Sequence, residues 1–300
     1  MCGIAGILYK NQSGGPLGRD LIAMLDGCQH RGPDSTGFAL YADGADDLYR
    51  LRFYVGEGAE AAVSIARIKE ILADKGADLL AGEQVGGSFA ASVRHAGDVR
   101  SFAYAMEHAA KLFSLGHRLE IVKDEGTAHE VDARYHLSAI QGTHGLGHVR
   151  LATESAVRPE AAHPFWATGF SDIAIVHNGQ ITNYWKWRRR LEKLGFEFRT
   201  DNDSELIAVY LAKKLSDGAS LQQALTDSIE DMDGTFSFLV STASEIGYAK
   251  DRLAAKPMVM VETDHLVAIA SEEVSLNRLF PGQALSTREP LPGTIGTWSR

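Results

Sequence analysis

The chain has few cysteines and no long apolar run. Two cysteines among 300 residues are too few for a disulfide framework or for a zinc site built from cysteines. No apolar stretch is long enough to span a membrane, and the N-terminus lacks the basic start and apolar core of a secretion signal. These absences predict a protein of the reducing cytoplasm, where a reactive thiol would stay reduced.

Positive charge is also scarce. The net charge of −9 argues against binding to nucleic acid or to an anionic membrane. One basic run, residues 186–190, lies on a predicted helix and is most simply a solvated helix face. A hydrophobic fraction of 45% and a charged fraction of 23% are typical of a globular protein with an ample core.

The N-terminus holds the most informative residue, because Cys2 directly follows Met1. A small second residue permits removal of Met1, which leaves a thiol and a free α-amine on one residue. An α-amine has a pKa of about 7.7–8.0 and can serve as a general base, so this arrangement favours an N-terminal nucleophile. The alternative is a small buried residue that opens an edge strand.

The apolar periodicity predicts a layered domain. The side chains of residues 2–9 alternate in character as in a strand. The apolar residues of 18–29 have helical spacing, which places Cys28 in the core. Strands that cluster towards both ends, with helices between them, indicate the α+β class. The remaining predicted elements are helices at 60–75, 101–116, 183–194 and 203–215, and strands at 173–176, 236–240, 258–261 and 266–270.

Each candidate for chemistry is ambiguous by itself. Arg150 could grip a carboxylate or form an ordinary salt bridge. Asn178 and Gly179 could form an oxyanion hole, but Asn-Gly after an apolar strand is also typical of a tight hairpin turn. Residues 201–205 could bind an ammonium group or simply cap a helix. His163-Pro164 could belong to a plain loop.

Taken together, these segments resemble the class II glutamine amidotransferases. The matching motifs occur in the family's order over nearly the whole chain. The resemblance implies the family's fold, a four-layer αββα sandwich of the N-terminal nucleophile hydrolase type, over one domain of residues 1–300. The segments that carry it are residues 2–4, 30–35, 147–153, 163–165, 177–184 and 203–205, with weaker similarity at 249–257 and 270–272.

The resemblance also implies a role for each matching residue. Cys2 would be the nucleophile and its own α-amine the base, while Asn178 and Gly179 would stabilise the oxyanion. The α-carboxylate of glutamine would bind Arg150 and Thr153, and its α-ammonium group would bind Asp203. Three further residues would order the site, namely Arg31, Gly32 and His163.

The chain departs from the family pattern in two ways. Leu151 and Glu154 stand where an aromatic residue and a histidine are common in the family, which affects substrate packing rather than the chemistry. The stretch 45–140 contains helical periodicity but no family motif. We expect it to be a helical insertion within the domain that contacts a partner subunit.

The expected activity is that of a glutaminase subunit. Free ammonia is mostly protonated in neutral water, so we expect it to pass to a separate synthase subunit in a hetero-oligomer. N-methylglutamate synthase or a glutamate synthase-like enzyme would fit; no cofactor is expected in this chain, although the partner could carry a flavin. The alternatives are a partner-free amidohydrolase and a non-catalytic regulatory module. A metal site at His144 and His148 is disfavoured, because no acidic third ligand is adjacent.

Overall fold

The computed structural model describes residues 2–11, 14–151 and 158–300. Within these residues, strands form three antiparallel sheets and eight helices pack around them. The strands are β1 (Gly3–Tyr9), β2 (Ser35–Tyr41), β3 (Tyr49–Tyr54), β4 (Asp78–Val85), β5 (Ser88–Arg94), β6 (Lys111–Gly116), β7 (Leu119–Glu125), β8 (His144–Arg150), β9 (Phe165–Trp166), β10 (Ala174–Ile181), β11 (Gly234–Ser241), β12 (Glu245–Lys250), β13 (Val259–Glu262), β14 (Leu266–Ala270) and β15 (Ile295–Ser299). The helices are α1 (Leu17–Cys28), α2 (Gly58–Asp74), α3 (Val99–Glu107), α4 (Ala128–Tyr135), α5 (Tyr184–Glu192), α6 (Asp203–Ser216), α7 (Leu221–Asp231) and α8 (Glu273–Asn277).

Two of the sheets face each other across the main core. Their strand orders are β13-β14-β1-β8-β2-β7 and β15-β12-β11-β10-β9. Apolar side chains from both sheets, among them Ile4, Leu146 and Val176, fill the space between them. Helices α1, α4 and α8 cover the outer face of the first sheet, and α5, α6 and α7 cover that of the second. This four-layer αββα arrangement confirms the predicted fold class.

The alternation in β8 shows how the sequence supplies polar groups to the interior. Successive side chains of a strand point to opposite faces, so His144, Leu146, His148 and Arg150 share one face. Leu146 packs in the core between the two sheets, and His144 stacks on Tyr41 there with ring centroids 4.3 Å apart. The same face therefore carries His148 and Arg150 towards the end of the strand, where the two sheets leave a cleft.

The stretch 45–140 is only partly as expected. It holds α2, α3 and α4, but β3, β4, β5 and β6 also build a third sheet of order β4-β5-β3-β6. The helix predicted at 101–116 is wrong beyond residue 107, because residues 111–116 pair with β3 and this pairing overrides their helical spacing. Strand β7 pairs with β2 in the first sheet and so belongs to the sandwich itself. That the block from β3 to β6 is an insertion relative to other family members stays a prediction.

Two further expectations concern the cysteines. Cys28 is fully buried in α1, as predicted. Strand β1, which follows Cys2, lies between β8 and β14 in the middle of its sheet, so the edge-strand alternative for Cys2 is wrong.

None of the helices in the described ranges combines the length and apolar character needed to cross a bilayer.

Candidate active site

A polar cleft lies where strands β1, β8 and β10 meet the start of α6. Its volume is about 320 Å³, which suits a small polar molecule. Segments far apart in the sequence converge on it. The cleft is lined by Cys2, Arg31, Arg150, Leu151, His163, His177, Asn178, Gly179, Asn202, Asp203, Ser204, Lys256 and Pro257.

Cys2 is held at its backbone while its side chain borders the cleft. Its carbonyl oxygen accepts hydrogen bonds from Arg31 Nε at 3.1 Å and from Asn178 Nδ2 at 3.0 Å. The Leu151 backbone N–H lies 3.4 Å from the Cys2 Sγ and donates to it. The residue is only partly buried, so the thiol is open to a ligand in the cleft.

Asn178 and Gly179 lie inside strand β10, and the hairpin-turn interpretation is therefore wrong. Gly179 has a φ of +146°, and a Cβ there would lie 2.0 Å from the carbonyl oxygen of Thr235 on the neighbouring strand. No side chain fits at that position, which explains the glycine. The absence of a side chain also leaves the backbone next to Asn178 accessible from the cleft.

Arg150 and the segment 31–34 form one corner of the cleft. The Arg150 side chain is buried at the end of β8. Gly32 lies so close that an added Cβ would be 2.5 Å from the Arg150 backbone nitrogen, and Asp34 N–H donates to the Arg150 carbonyl at 3.1 Å. Arg31 thus contacts the Cys2 backbone and Gly32 packs against that of Arg150; that these two residues order the site stays a prediction.

Asp203 is the first residue of α6 and lies across the cleft. Its Oδ2 accepts a hydrogen bond from the Ile181 N–H at 2.9 Å, and its Oδ1 lies 3.4 Å from His177 Nδ1. Burial by itself would raise the pKa of the Asp203 carboxyl, but the hydrogen bond and charge of His177 and nearby backbone N–H groups hold it below its usual range. The carboxylate is therefore anionic at neutral pH.

The interpretation of residues 201–205 as a helix cap is also correct. The Asn202 side chain accepts a hydrogen bond from the Ser204 N–H at 2.8 Å. Glu205 does not complete a capping box; its carboxylate accepts the N–H groups of Arg199 and Thr200 at 2.8 and 2.7 Å. The cap fixes where α6 begins, and Asp203 is the first residue of that helix. The cap therefore helps to place the Asp203 carboxylate at the cleft.

His163 is one of the buried residues that line the cleft. It stacks on His148, with ring centroids 4.1 Å apart, and its peptide bond to Pro164 is cis. Burial lowers the pKa of His148 to about 3 and that of His163 well below its usual value, so both rings are neutral. His144 and His148 are four residues apart on a strand, roughly 13 Å along its axis, too far to share one ion.

One predicted site residue cannot be placed, and two residues that were given no role in the sequence analysis contact the site. Thr153, predicted to assist Arg150, lies outside the described residues. The structure adds Ser271, whose Oγ accepts hydrogen bonds from Ile4 N–H at 3.0 Å and Asn178 Nδ2 at 3.4 Å. It also adds Glu272, which forms an ion pair with Arg31 and lies 3.3 Å from His30. Their signal in the sequence is a Ser-Glu pair directly after an apolar strand.

An αββα sandwich is the fold type of the N-terminal nucleophile hydrolases. In this chain, a cysteine precedes a central strand of that sandwich and borders a polar cleft. One solved structure of that type is glutamine phosphoribosylpyrophosphate amidotransferase from B. subtilis, with a TM-score of 0.62 and 20% identity over 100% of this chain and 49% of that chain. At this identity, the likeness establishes the fold.

Sequence comparisons establish the family. A family profile described as a glutamine amidotransferase domain matches residues 148–278. A putative glutamine amidotransferase of Methanothermobacter thermautotrophicus is 40% identical over 93% of this chain and 94% of its own length. The glutamine amidotransferase-like protein GlxB of Rhizobium meliloti is 37% identical over 99% of this chain and 98% of its own length. The chain belongs to the glutamine amidotransferase family.

Proposed function

We propose that this chain hydrolyses L-glutamine to glutamate and ammonia, with the Cys2 thiol as the nucleophile. The observation that carries the proposal is the convergence of Cys2, Asn178, Gly179, Arg150 and Asp203 on one cleft of about 320 Å³. A thiol, an amide donor, a cation and an anion are the groups that a glutaminase needs.

In this proposal, the two charged residues hold the amino-acid end of glutamine. The Arg150 guanidinium binds the α-carboxylate through its planar fork of donors, and the Asp203 carboxylate binds the α-ammonium group. A cation and an anion on the same cleft select a free amino acid over a simple amide, because only the amino acid offers both a carboxylate and an ammonium group to these side chains.

The reaction then proceeds at Cys2 after removal of Met1. The α-amine takes the thiol proton, and the sulfur attacks the carboxamide carbon. The resulting α-ammonium group returns that proton to the leaving nitrogen, so that the C–N bond breaks, ammonia departs and a thioester remains. Water hydrolyses the thioester to glutamate and restores the thiol. Asn178 Nδ2 and the Gly179 N–H stabilise the tetrahedral oxyanion, each worth on the order of 3–4 kcal/mol.

Asn178 is already oriented for this task. One hydrogen of its Nδ2 is held by the Cys2 carbonyl at 3.0 Å, whereas the contact to Ser271 Oγ is longer, at 3.4 Å. We assign the second hydrogen to the oxyanion, because the longer contact is the easier one to exchange.

Replacement of the nucleophile tests the proposal. Cys2→Ala should abolish glutamate release from L-glutamine, and intact mass spectrometry should show Cys2 as the first residue of the active protein. Cys28→Ala is the matched control, because Cys28 is buried in α1 and its burial raises the pKa of the thiol to about 11. Retention of Met1, or full turnover by Cys2→Ala, would exclude the mechanism.

We further propose that the ammonia passes to a separate synthase subunit, such as N-methylglutamate synthase or a glutamate synthase-like enzyme with a flavin. The third sheet supports a role in docking, because its edge strand β4 is exposed along most of its length and includes the half-exposed Leu80. An exposed edge offers unpaired backbone groups to another chain.

The partner proposal has its own test. Glutaminase activity should rise when the co-produced synthase is added, and Leu80→Lys should weaken that rise without changing the activity of the isolated chain. Full activity in isolation would favour the partner-free amidohydrolase. A chain that never releases glutamate, with or without the synthase, would favour the regulatory module.

A further inference from the structure

The carboxylate of Asp203 is the first member of a chain of buried side chains that runs along the wall of the cleft. Asp203 Oδ1 lies 3.4 Å from His177 Nδ1, which lies 3.1 Å from Ser204 Oγ. Ser204 Oγ in turn lies 2.7 Å from His163 Nε2. His177, Ser204 and His163 are all at least nine-tenths buried, so no bulk water competes for these contacts.

The distances and charges favour one assignment of the hydrogens in this chain of side chains. The Asp203 carboxylate carries no proton, so the hydrogen it shares with His177 belongs to Nδ1. That N–H also faces Ser204 Oγ, which leaves the serine hydroxyl to donate its own hydrogen to His163 Nε2. In this assignment, the contact from His177 to Ser204 and the contact from Ser204 to His163 each have one donor and one acceptor.

His163, the last residue of this chain of side chains, is held on several sides. The His163 ring stacks on His148 and meets the edge of Phe165, with a centroid distance of 4.9 Å. The buried Lys123 Nζ donates to the carbonyl oxygens of Ala162, at 2.8 Å, and Pro164, at 3.2 Å, on either side of His163. His163 can therefore hold Ser204 in one place.

At the other end of this chain of side chains, both carboxylate oxygens of Asp203 have a hydrogen-bond donor beside them. The Ile181 N–H holds Asp203 Oδ2 at 2.9 Å, and the His177 N–H lies on the Oδ1 side. With a donor on each oxygen, the carboxylate plane cannot turn freely. Each oxygen still has lone-pair capacity for an ammonium group in the cleft.

We infer that His177, Ser204 and His163 are positioning residues that aim the Asp203 carboxylate at the α-ammonium group of the amino-acid substrate. The inference rests on the proposed function and adds to it the residues that set the preference for an α-amino acid. Loss of the Ser204 hydroxyl should weaken binding of ligands that carry an α-ammonium group about tenfold, the effect of one buried hydrogen bond. Ligands that lack the group should bind as before.

The test compares two ligands that differ only in the α-amino group. L-Glutamine and glutaramate, the same chain without the amine, are titrated by calorimetry into full-length protein that carries Cys2→Ala, so that no turnover occurs. Ser204→Ala in this background should reduce the ratio of the two affinities about tenfold. Ser228→Ala is the matched control, because Ser228 is a buried helical serine of α7 whose hydroxyl donates to Leu225 instead; it should leave the ratio unchanged.

A second pair of variants tests the donor itself. His177→Asn can place an amide N–H near the position of Nδ1 and should keep most of the ratio, whereas His177→Leu removes the donor and should lose it. A Ser204→Ala protein that binds both ligands as before, or binds both equally more weakly, would overturn the inference while the glutaminase proposal stands. If the Cys2→Ala protein binds neither ligand, the proposed function fails first and the inference falls with it.

Discussion

Gly179 offers a sharp test of how the backbone of the site is built. A Cβ at this position would lie 2.0 Å from the carbonyl oxygen of Thr235 and 2.7 Å from the Cα of Phe236. Both are backbone atoms of the adjacent segment at β11, so relief would require the strands to separate rather than a side chain to rotate. The φ of +146° adds a second penalty, because only glycine adopts it readily.

We expect Gly179→Ala to lower the free energy of unfolding by about 4 kcal/mol, since the dihedral strain and the overpacking each contribute roughly 1–3 kcal/mol. Gly195→Ala is the control. Gly195 also has a positive φ, +85°, but an added Cβ would have no neighbour within 4 Å. It should lose only about 1–2 kcal/mol, the penalty of the left-handed conformation.

Urea denaturation of the two variants and the wild type measures both losses, with similar slopes as evidence that the unfolded states are comparable. Glutamate release, measured where all three proteins are folded, should fall for Gly179→Ala and stay unchanged for Gly195→Ala. If Gly179→Ala is no less stable than Gly195→Ala, the close approach of the two strands is not as tight as described, and the reasoning is refuted.

Two further predictions concern charged side chains. Glu272→Gln weakens the ion pair that holds Arg31 against the Cys2 carbonyl, so kcat for glutamate release should fall about tenfold; an unchanged kcat would show that the pair does not act on the nucleophile. Burial raises the pKa of Glu107 to about 7, so the folded state binds more protons than the unfolded state between pH 4.5 and 7, and stability is lost as pH rises through this window. Urea titrations at pH 4.5 and 7.5 measure how much the free energy of unfolding decreases between these two pH values. The decrease should be smaller by roughly 3 kcal/mol in Glu107→Gln than in the wild type, and unchanged in Glu70→Gln, on the exposed face of α2. Identical decreases in both variants would contradict the assignment.

Local pattern predicted part of the sandwich and none of the strands of the third sheet. The predicted helix at 203–215 and strand at 266–270 match α6 and β14 closely, because each is an apolar run with clear end signals, such as the N-cap Asn202 before α6. The helix predicted at 101–116 was wrong over its second half. Residues 111–116 pair with β3, more than fifty positions earlier in the chain, and local spacing carries no information about such a partner.

The candidate site shows the same division. The motif resemblance picked out Cys2, Arg150, Asn178 and Asp203, and the structure brings all four to one cleft. It did not indicate that Ser271 accepts a hydrogen bond from Asn178, nor that His177 lies against Asp203. Those contacts depend on the relative placement of separate strands and helices, which no short motif encodes.

The amino-acid sequence alone specifies which chemical groups are available and in what order they occur along the chain. It determined the layered α+β class through apolar periodicity, and the family through the order of its motifs. Two features became visible in the folded molecule. Asn178-Gly179 lies in a strand rather than a turn, and a chain of buried side chains connects Asp203, His177, Ser204 and His163. Periodicity reports only on neighbours within a few residues along the chain. Hydrogen bonds between distant segments depend instead on strand register and layer packing to within a fraction of an ångström.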